Sequence, residues 1–384
     1  MSLKRLESVN VDGKTALVRV DFNVPRNEAG DITDMTRVEA ALPTLRALRE
    51  AGATVKLLAH YGRPDGKPDP ALSLRFLVPH LQRLLGEPVG FGSDDGAAVV
   101  LLENTRFEAG ETKGDTALAK SWADMGDVFI ADAFSASHRA HASVSGIADY
   151  LPAYAGLSME RELDHIGRAL DNPKQPVMAI VGGAKVSTKI GVLEHLVTKL
   201  DILVIGGGMA NTFLLAMGHP VGKSLAEPDF VDTANRIMAA ATRAGCELVL
   251  PLDVVVAKDF RAHAESRVSD VESVAADEMI LDAGPATVDH IMDKMERART
   301  LIWNGPLGAF EMTPFDTSTV EAAKYAAKLT AKGELVSVAG GGDTVAALSL
   351  AGVAEDFTFV STAGGAFLEW MEGKPLPGVE ILKT

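Results

Sequence analysis

Cysteine is almost missing: the 384 residues contain one, Cys246. A lone thiol cannot close an internal disulfide, which excludes a disulfide-stapled secreted scaffold and points to a reducing, intracellular setting. Basic residues are in deficit, 37 against 52 acidic ones, for a formal net charge of −15. Nucleic acid and anionic membranes both call for a cationic face, so neither is expected as a partner. Aromatic residues make up only 5% of the chain, and no long apolar run interrupts it. Behind Lys4 and Arg5 there is no apolar segment of the kind an export signal needs. Residues 202–222 lack Asp, Glu, Lys and Arg, but Gly206, Gly207, Gly208, Asn211, Pro220 and Gly222 break them up. That stretch predicts a buried strand, a glycine turn and a short helix rather than a membrane span. What is plentiful is ordinary globular material, 47% apolar and 23% charged, in a length that suits two or three domains of about 150 residues each.

One theme recurs along the chain: a short apolar run, a polar or glycine turn, then sequence of helical period. The runs are Thr15–Val20, Thr54–Ala59, Ala98–Leu102 and Asp127–Ala131, then Val177–Val181, Ile202–Ile205, Glu247–Leu250, Leu301–Trp303, Glu334–Ala339 and Phe357–Val360. Strands apolar on both faces belong to parallel sheets whose crossovers are helices, so the fold class is α/β. The exits from these runs change character midway. Early exits carry side chains: Asp21-Phe22-Asn23, His60-Tyr61-Gly62-Arg63, Glu103-Asn104-Thr105-Arg106 and Asp132 through His141. Late exits carry glycine: Gly182-Gly183, Gly206-Gly207-Gly208, Gly340-Gly341-Gly342 and Gly364-Gly365. Ligands of open α/β sheets sit beyond the carboxyl ends of the strands, so two sheets with two different ligands are expected. Between them, Ser158–Asp171 reads as an amphipathic helix, ended by Asn172-Pro173 and Pro176.

The glycine exits suit phosphate. Glycine lets backbone approach an anion closely, and a helix N-terminus offers unpaired N–H groups. Val177–Val181 runs through Gly182-Gly183 into Ala184-Lys185-Val186-Ser187-Thr188-Lys189. Lys185 and Lys189, four apart, are expected on one face of a helix that starts there, held by an anion or else pointing into solvent. Asp343, after Gly340-Gly341-Gly342, is either a helix N-cap or a carboxylate for Mg²⁺ on nucleotide phosphates. Gly218 through Ser224 resembles a P-loop but has three residues between its glycines, and Gly206 through Asn211 lacks the last glycine of a dinucleotide fingerprint.

The polar exits suit a small anion. Arg63, Arg106 and Arg139 follow strand ends, and Arg37 lies early in a predicted helix. A guanidinium fork donates two parallel hydrogen bonds to a carboxylate or phosphate. Asp21 and Asn23 add an acceptor and an amide for a hydroxyl, and His60 adds a further contact. His138 and His141 lack a third ligand nearby and are assigned no metal. Cys246 reads as a buried structural thiol. Two pockets of this kind, without a nucleophile–base pair, point to phosphoryl transfer, which works by positioning and charge neutralisation.

At these residues the chain resembles the phosphoglycerate kinase family. The likeness rests on Val18-Arg19-Val20-Asp21-Phe22-Asn23-Val24-Pro25, Ala59-His60-Tyr61-Gly62-Arg63-Pro64, Leu101 through Phe107, Asp132-Ala133-Phe134 and His138 through Ser143. It continues in Gly182 through Lys189, Trp303-Asn304-Gly305-Pro306-Leu307-Gly308-Ala309-Phe310-Glu311 and Gly340 through Thr344. The resemblance implies two Rossmann-like lobes, each a parallel sheet flanked by helices, joined by a hinge helix with a cleft between them. It implies a phosphoglycerate-binding domain over 1–158 completed by about 375–384, a hinge helix over 159–171 and a nucleotide-binding domain over 172–374. The implied reaction moves a phosphoryl group between 1,3-bisphosphoglycerate and Mg-ADP, giving 3-phosphoglycerate and ATP. Asp21, Asn23, Arg37, His60, Arg63, Arg106 and Arg139 would hold the phosphoglycerate. Arg37, Lys185, Lys189 and Gly342 would serve the transfer. Gly183, Ala184, Lys189, Gly208, Asn304, Pro306, Glu311, Gly341, Gly342, Asp343 and Thr344 would hold ATP or ADP, with Asp343 on Mg²⁺. A cytoplasmic monomer whose lobes close about residues 158–176 is the accompanying expectation. Three positions depart from the family pattern: Tyr61 stands for a usual leucine, Ser135-Ala136-Ser137 for a frequent Gly-Thr-Ala, and Ala363 for a glycine.

Overall fold

A computed structural model describes residues 2–93, 96–170 and 172–384. The chain divides into two compact units, Met1–Asp164 with Pro375–Thr384, and His165–Lys374.

The first unit is built on six parallel strands, β1 (Thr15–Arg19), β2 (Thr54–Leu58), β3 (Val89–Phe91), β4 (Val99–Leu101), β5 (Val128–Ala131) and β6 (Ala153–Ala155), in the order β3-β4-β2-β1-β5-β6. Central β1 lies between β2 and β5, with Leu17 opposite both Lys56 and Phe129. Ala16 through Arg19 are fully buried, which is why this strand reads as an unbroken apolar run up to its last residue. Helix α1 (Thr36–Glu50) turns Val38, Ala41, Leu45 and Leu48 onto Val18, Val20, Val55 and Leu57. Their spacing follows the helical period, so one stripe of the helix fills the core. Helices α2 (Val78–Leu85) and α3 (Thr116–Ala123) follow; the Asp115 carboxylate caps α3 by accepting from Leu118 N at 2.8 Å. The C-terminal tail belongs to this unit: Lys4 N donates to Leu382 O at 2.9 Å, Leu3 and Lys383 form an antiparallel bridge, and Gly378 N donates to Ser137 O at 2.8 Å.

Helix α4 runs Leu157–Leu170, one residue ahead of the expected start; Asp171, the expected end, lies outside the described residues. Its start is set by a residue 26 positions away. The Asp132 carboxylate accepts from Ser158 N at 2.9 Å and Met159 N at 3.1 Å. Burial pushes that carboxyl up to about 7, against the pull of Thr44 and the two amides.

The second unit repeats the plan. Strands β7 (Val177–Val181), β8 (Ile202–Ile205) and β9 (Glu247–Val249) lie on one side. An antiparallel sheet of β10 (Asp253–Ala257), β11 (Ser266–Asp270) and β12 (Met279–Ala283) follows, in the order β11-β10-β12. Strands β13 (Thr300–Asn304), β14 (Val336–Gly340) and β15 (Phe359–Ser361) complete a parallel sheet of order β15-β14-β13-β7-β8-β9. Its helices are α5 (Ile190–Leu196), α6 (Gly208–Ala216), α7 (Val231–Ala244), α8 (Pro285–Arg297), α9 (Thr317–Ala331), α10 (Gly342–Leu350) and α11 (Gly364–Met371). Trp303 is wholly buried in this core, with its indole N–H donating to Gly305 O at 2.8 Å. Residues 202–222 form a strand, a glycine turn, a helix and a loop, as their sequence predicts, and no helix among the described residues is long and apolar enough to cross a membrane. Cys246 is buried after α7; burial pushes its thiol up to about 11, leaving it inert.

The apolar-run reading misses β3 and β6, which are three residues long and carry Gly90 and two alanines respectively. It also misses the antiparallel sheet, whose edge strand Ser-Arg-Val-Ser-Asp is largely exposed and polar.

Candidate active site

In the first unit the exits of β1, β2, β4 and β5 converge on one end of the sheet. After β1, the Asp21 carboxylate accepts from Asn23 N at 3.2 Å. Arg37, second residue of α1, approaches Asp21 Oδ2 at 3.1 Å and donates to Asn23 O at 3.1 Å. After β2, Gly62 N donates to Asn23 Oδ1 at 3.0 Å. After β4, Arg106 Nη1 donates to Gly62 O at 2.7 Å while its buried Nε has no partner among the described residues. The five residues are thus cross-tied by hydrogen bonds between loops that are remote in sequence.

His60 is 8% exposed. Its Nδ1 lies 3.0 Å from Arg19 Nη2. A guanidinium only donates, so Nδ1 carries the lone pair and the ring proton sits on Nε2. Burial first, then the charges of Arg19, Arg106 and Arg139, hold His60 well below the usual histidine range. The ring is therefore a neutral N–H donor at physiological pH. His141 is pushed down to about 4 by burial and by Arg106, Arg139 and Arg19. Burial, then Arg139, Arg19 and Arg63, lower Arg106 to about 10, with Glu111 opposing. Arg63 and Arg139 themselves are exposed. Burial, and after it the neighbouring guanidiniums, disfavour positive charge on Arg106, His60 and His141, and an anion placed among them would offset that penalty.

Arg19, Glu111 and Ser143 are missing from the sequence-derived set. Glu111 is fully buried; its carboxylate accepts from Ser143 N at 2.9 Å and from the Ser143 hydroxyl. Ser143 Oγ in turn accepts from Arg19 Nε at 2.9 Å. This chain places one buried negative charge behind the arginine that fixes His60. A charged residue closing the apolar run of β1 was its one sequence signal.

In the second unit a cavity of about 580 Å³ opens at the carboxyl ends of β7, β8 and β13, lined by Gly183, Ala184, Gly206 to Gly208, Leu225, Pro306 to Glu311 and Asp343. The wall depends on missing side chains. A Cβ on Gly182 would overlap the Pro306 carbonyl oxygen, so the turns after β7 and β13 touch backbone to backbone. Gly341, at φ +100°, precedes α10, and a Cβ there would meet Asn304 Nδ2 at 2.6 Å. Asn304 Nδ2 donates to Gly340 O at 2.7 Å, and Thr344 Oγ1 accepts from Gly305 N at 2.7 Å. These bonds lock the turn after β13 to the start of α10, while Met209 N, second in α6, donates to Gly183 O at 2.9 Å.

Two expectations are corrected here. Lys185 and Lys189 do not share a helix face. They flank a 3₁₀ turn, Val186–Thr188, and α5 begins only at Ile190. The Glu227 carboxylate holds that turn by accepting from Ser187 N at 2.9 Å and Ser187 Oγ at 2.6 Å, and the segment winds at about three residues per turn rather than 3.6. Lys185 is exposed, whereas Lys189 turns inward onto the Asn304 amide oxygen. Burial lowers Lys189 to about 8, with Asp343 and Glu372 pulling it upward. Asp343 is not the N-cap of α10. Gly341 occupies that place, because only its positive φ fits the turn, and Asp343 is the second helical residue with an exposed carboxylate on the cavity wall.

Residues 6–374 match the family model described as phosphoglycerate kinase. The chain is 57% identical to a phosphoglycerate kinase of Maricaulis maris over 98% of this chain and 96% of that one. It is equally close, at 57%, to the phosphoglycerate kinase of Sinorhizobium medicae over 100% and 99% of the two chains. Its fold is similar to the structure of phosphoglycerate kinase from Coxiella burnetii, with a TM-score of 0.92, 40% identity and coverage of 99% and 98%. Phosphoglycerate kinase from Pyrococcus horikoshii matches at TM-score 0.81 and 30% identity, with the same coverage. Motif order, two parallel six-stranded sheets and near-complete matches agree, and the chain belongs to the phosphoglycerate kinase family of ATP-dependent phosphotransferases.

Proposed function

We propose that the protein moves a phosphoryl group directly, in line, between the acyl phosphate of 1,3-bisphosphoglycerate and the terminal phosphate position of Mg-ADP. The observation that carries this reading is chemical complementarity: a half-buried Arg106 and a neutral His60 among further arginines in one unit, and a glycine-walled cavity beside Lys189 in the other. Asp21, Asn23, His60, Arg63, Arg106 and Arg139 hold the triose, with Asp21 and Asn23 on its hydroxyl and the arginines on its anionic groups. Neutral His60 donates through Nε2 and adds no further charge to crowded cations. Gly183, Ala184, Gly208, Asn304, Pro306, Glu311, Gly341 and Thr344 cradle the nucleotide. Glu311, exposed at the cavity rim, suits a ribose hydroxyl.

Arg37, Lys185, Lys189 and the backbone N–H of Gly342 neutralise the oxygens of the moving group, and no side chain acts as nucleophile. Lys189 keeps its proton when phosphate replaces water around it, since an adjacent anion favours the ammonium form. Mg²⁺ takes one or two carboxylates together with substrate phosphates and keeps several waters. Asp343 fits that demand, and among the described residues no group of three or more acidic, His or Cys side chains would hold a metal alone. Bound there, Mg²⁺ would offset phosphate charge.

The triose residues and nucleotide residues belong to different units. Transfer in line therefore calls for the units to close on their ligands, with residues 158–176 as the bending segment. Closure also keeps water from a hydrolysable acyl phosphate. A coupled assay of ATP made from 1,3-bisphosphoglycerate and ADP tests the reaction. Turnover abolished by EDTA and restored by Mg²⁺ is expected; ATP formation unaffected by chelation would overturn the metal role. Compaction in small-angle scattering with both ligands bound, and none with either alone, tests closure.

A further inference from the structure

Ser135 lies in the 3₁₀ turn Phe134–Ala136 after β5. Its backbone does not have a positive φ, so nothing in the local conformation calls for glycine and a side chain is carried without strain. Its hydroxyl donates to Asp21 Oδ2 at 2.6 Å. The same carboxylate accepts from Asn23 N at 3.2 Å and faces Arg37 Nη1 at 3.1 Å. Three separate segments therefore converge on one carboxylate: the β1 exit, the start of α1 and the β5 exit.

A carboxylate torsion is broad and nearly two-fold, so the number and placement of its donors decide how firmly it is held. Beside Asn23 N and Arg37 Nη1, the Ser135 hydroxyl adds the shortest of the three contacts, on Oδ2 and from the β5 exit, and so restricts the carboxylate further. We infer that Ser135 is a positioning residue that pre-orients Asp21 for the triose hydroxyl. The inference rests on the reading of Asp21 as a triose ligand. A group already oriented loses less freedom on binding, so the benefit falls on triose affinity.

The test is a double-mutant cycle with Ser135→Ala, Asp21→Ala and the pair, assayed in the direction of 3-phosphoglycerate and ATP, with Ser135→Thr as the conservative variant. Expected is a rise of about three- to tenfold in KM for 3-phosphoglycerate in Ser135→Ala. KM for ATP stays unchanged, Ser135→Thr largely restores the triose value, and Ser135→Ala adds nothing once Asp21 is gone. An unchanged KM in Ser135→Ala beside a raised one in Asp21→Ala overturns the inference and leaves the triose site intact. An unchanged KM in Asp21→Ala removes the reading of Asp21 and the inference with it. Equal losses from Ser135→Ala with and without Asp21 would mark a purely structural serine, and the inference would fail.

Discussion

On the proposed reading the two units meet the same problem, an anionic ligand at the carboxyl edge of a parallel sheet, by opposite means. The first uses long side chains, and those need support: Arg19 is steadied by Ser143 and by the fully buried Glu111, and burial, with Arg139 and Arg19 behind it, lowers Arg106 to about 10. The second uses peptide groups, and those need room. Gly182 and Gly341 stand where any Cβ would collide with backbone or with Asn304. Side-chain sites thus carry their constraint in buried counter-charges, and backbone sites carry it in absent atoms. The two kinds of site should fail differently under mutation and under pH.

The largest effect is expected from Lys185→Ala. If Lys185 acts on the moving group as proposed, removing it should lower kcat by about a hundredfold or more while ADP affinity changes far less, which single-turnover kinetics and titration calorimetry would separate. Near-normal turnover would break the assignment. Next comes Glu111→Gln, which strips the buried counter-charge from the side-chain site. A loss of about 3 kcal/mol in the stability of the first unit is expected from urea unfolding, together with weaker triose binding and unaltered ADP binding. Equal damage to both ligands would blur the contrast between the units.

Gly341→Ala attacks the backbone site. Positive φ and the Asn304 contact together should raise KM for ATP by about tenfold with KM for 3-phosphoglycerate unchanged. The smallest effect is a pH difference. Lys189 sits near 8 whereas Arg106 sits near 10. Raising pH from 7 to 9.5 removes the Lys189 proton in the free protein, so ADP affinity should fall severalfold, while Arg106 stays mostly charged and 3-phosphoglycerate affinity changes much less. Parallel calorimetric titrations would show it; a matched decline for both ligands would count against separate lysine and arginine grips.

Much of this was legible in the chain. Doubly buried strands are continuous apolar runs, so Val177–Val181 and Ile202–Ile205 could be read to the residue. The exits that bear the charged and glycine-rich motifs follow directly, because chemistry at a strand end stays next to its strand in sequence. Less legible were elements defined by distant partners. The start of α4 depends on Asp132, and the turn between the two lysines depends on Glu227, 40 positions from Ser187.

Local order of residues, then, determined the α/β class, the two kinds of strand exit and the residues that could hold phosphate, since each is a short-range consequence of burial period and turn chemistry. Only tertiary packing decided which tautomer His60 carries, which buried carboxylate stands behind Arg19, that Gly341 rather than Asp343 caps α10, and that Ser135 reaches Asp21. Those are matters of distance across a sheet edge. Distance between residues more than a hundred positions apart, as Ser135 and Asp21 are, is set by how the core closes and not by any pattern along the chain.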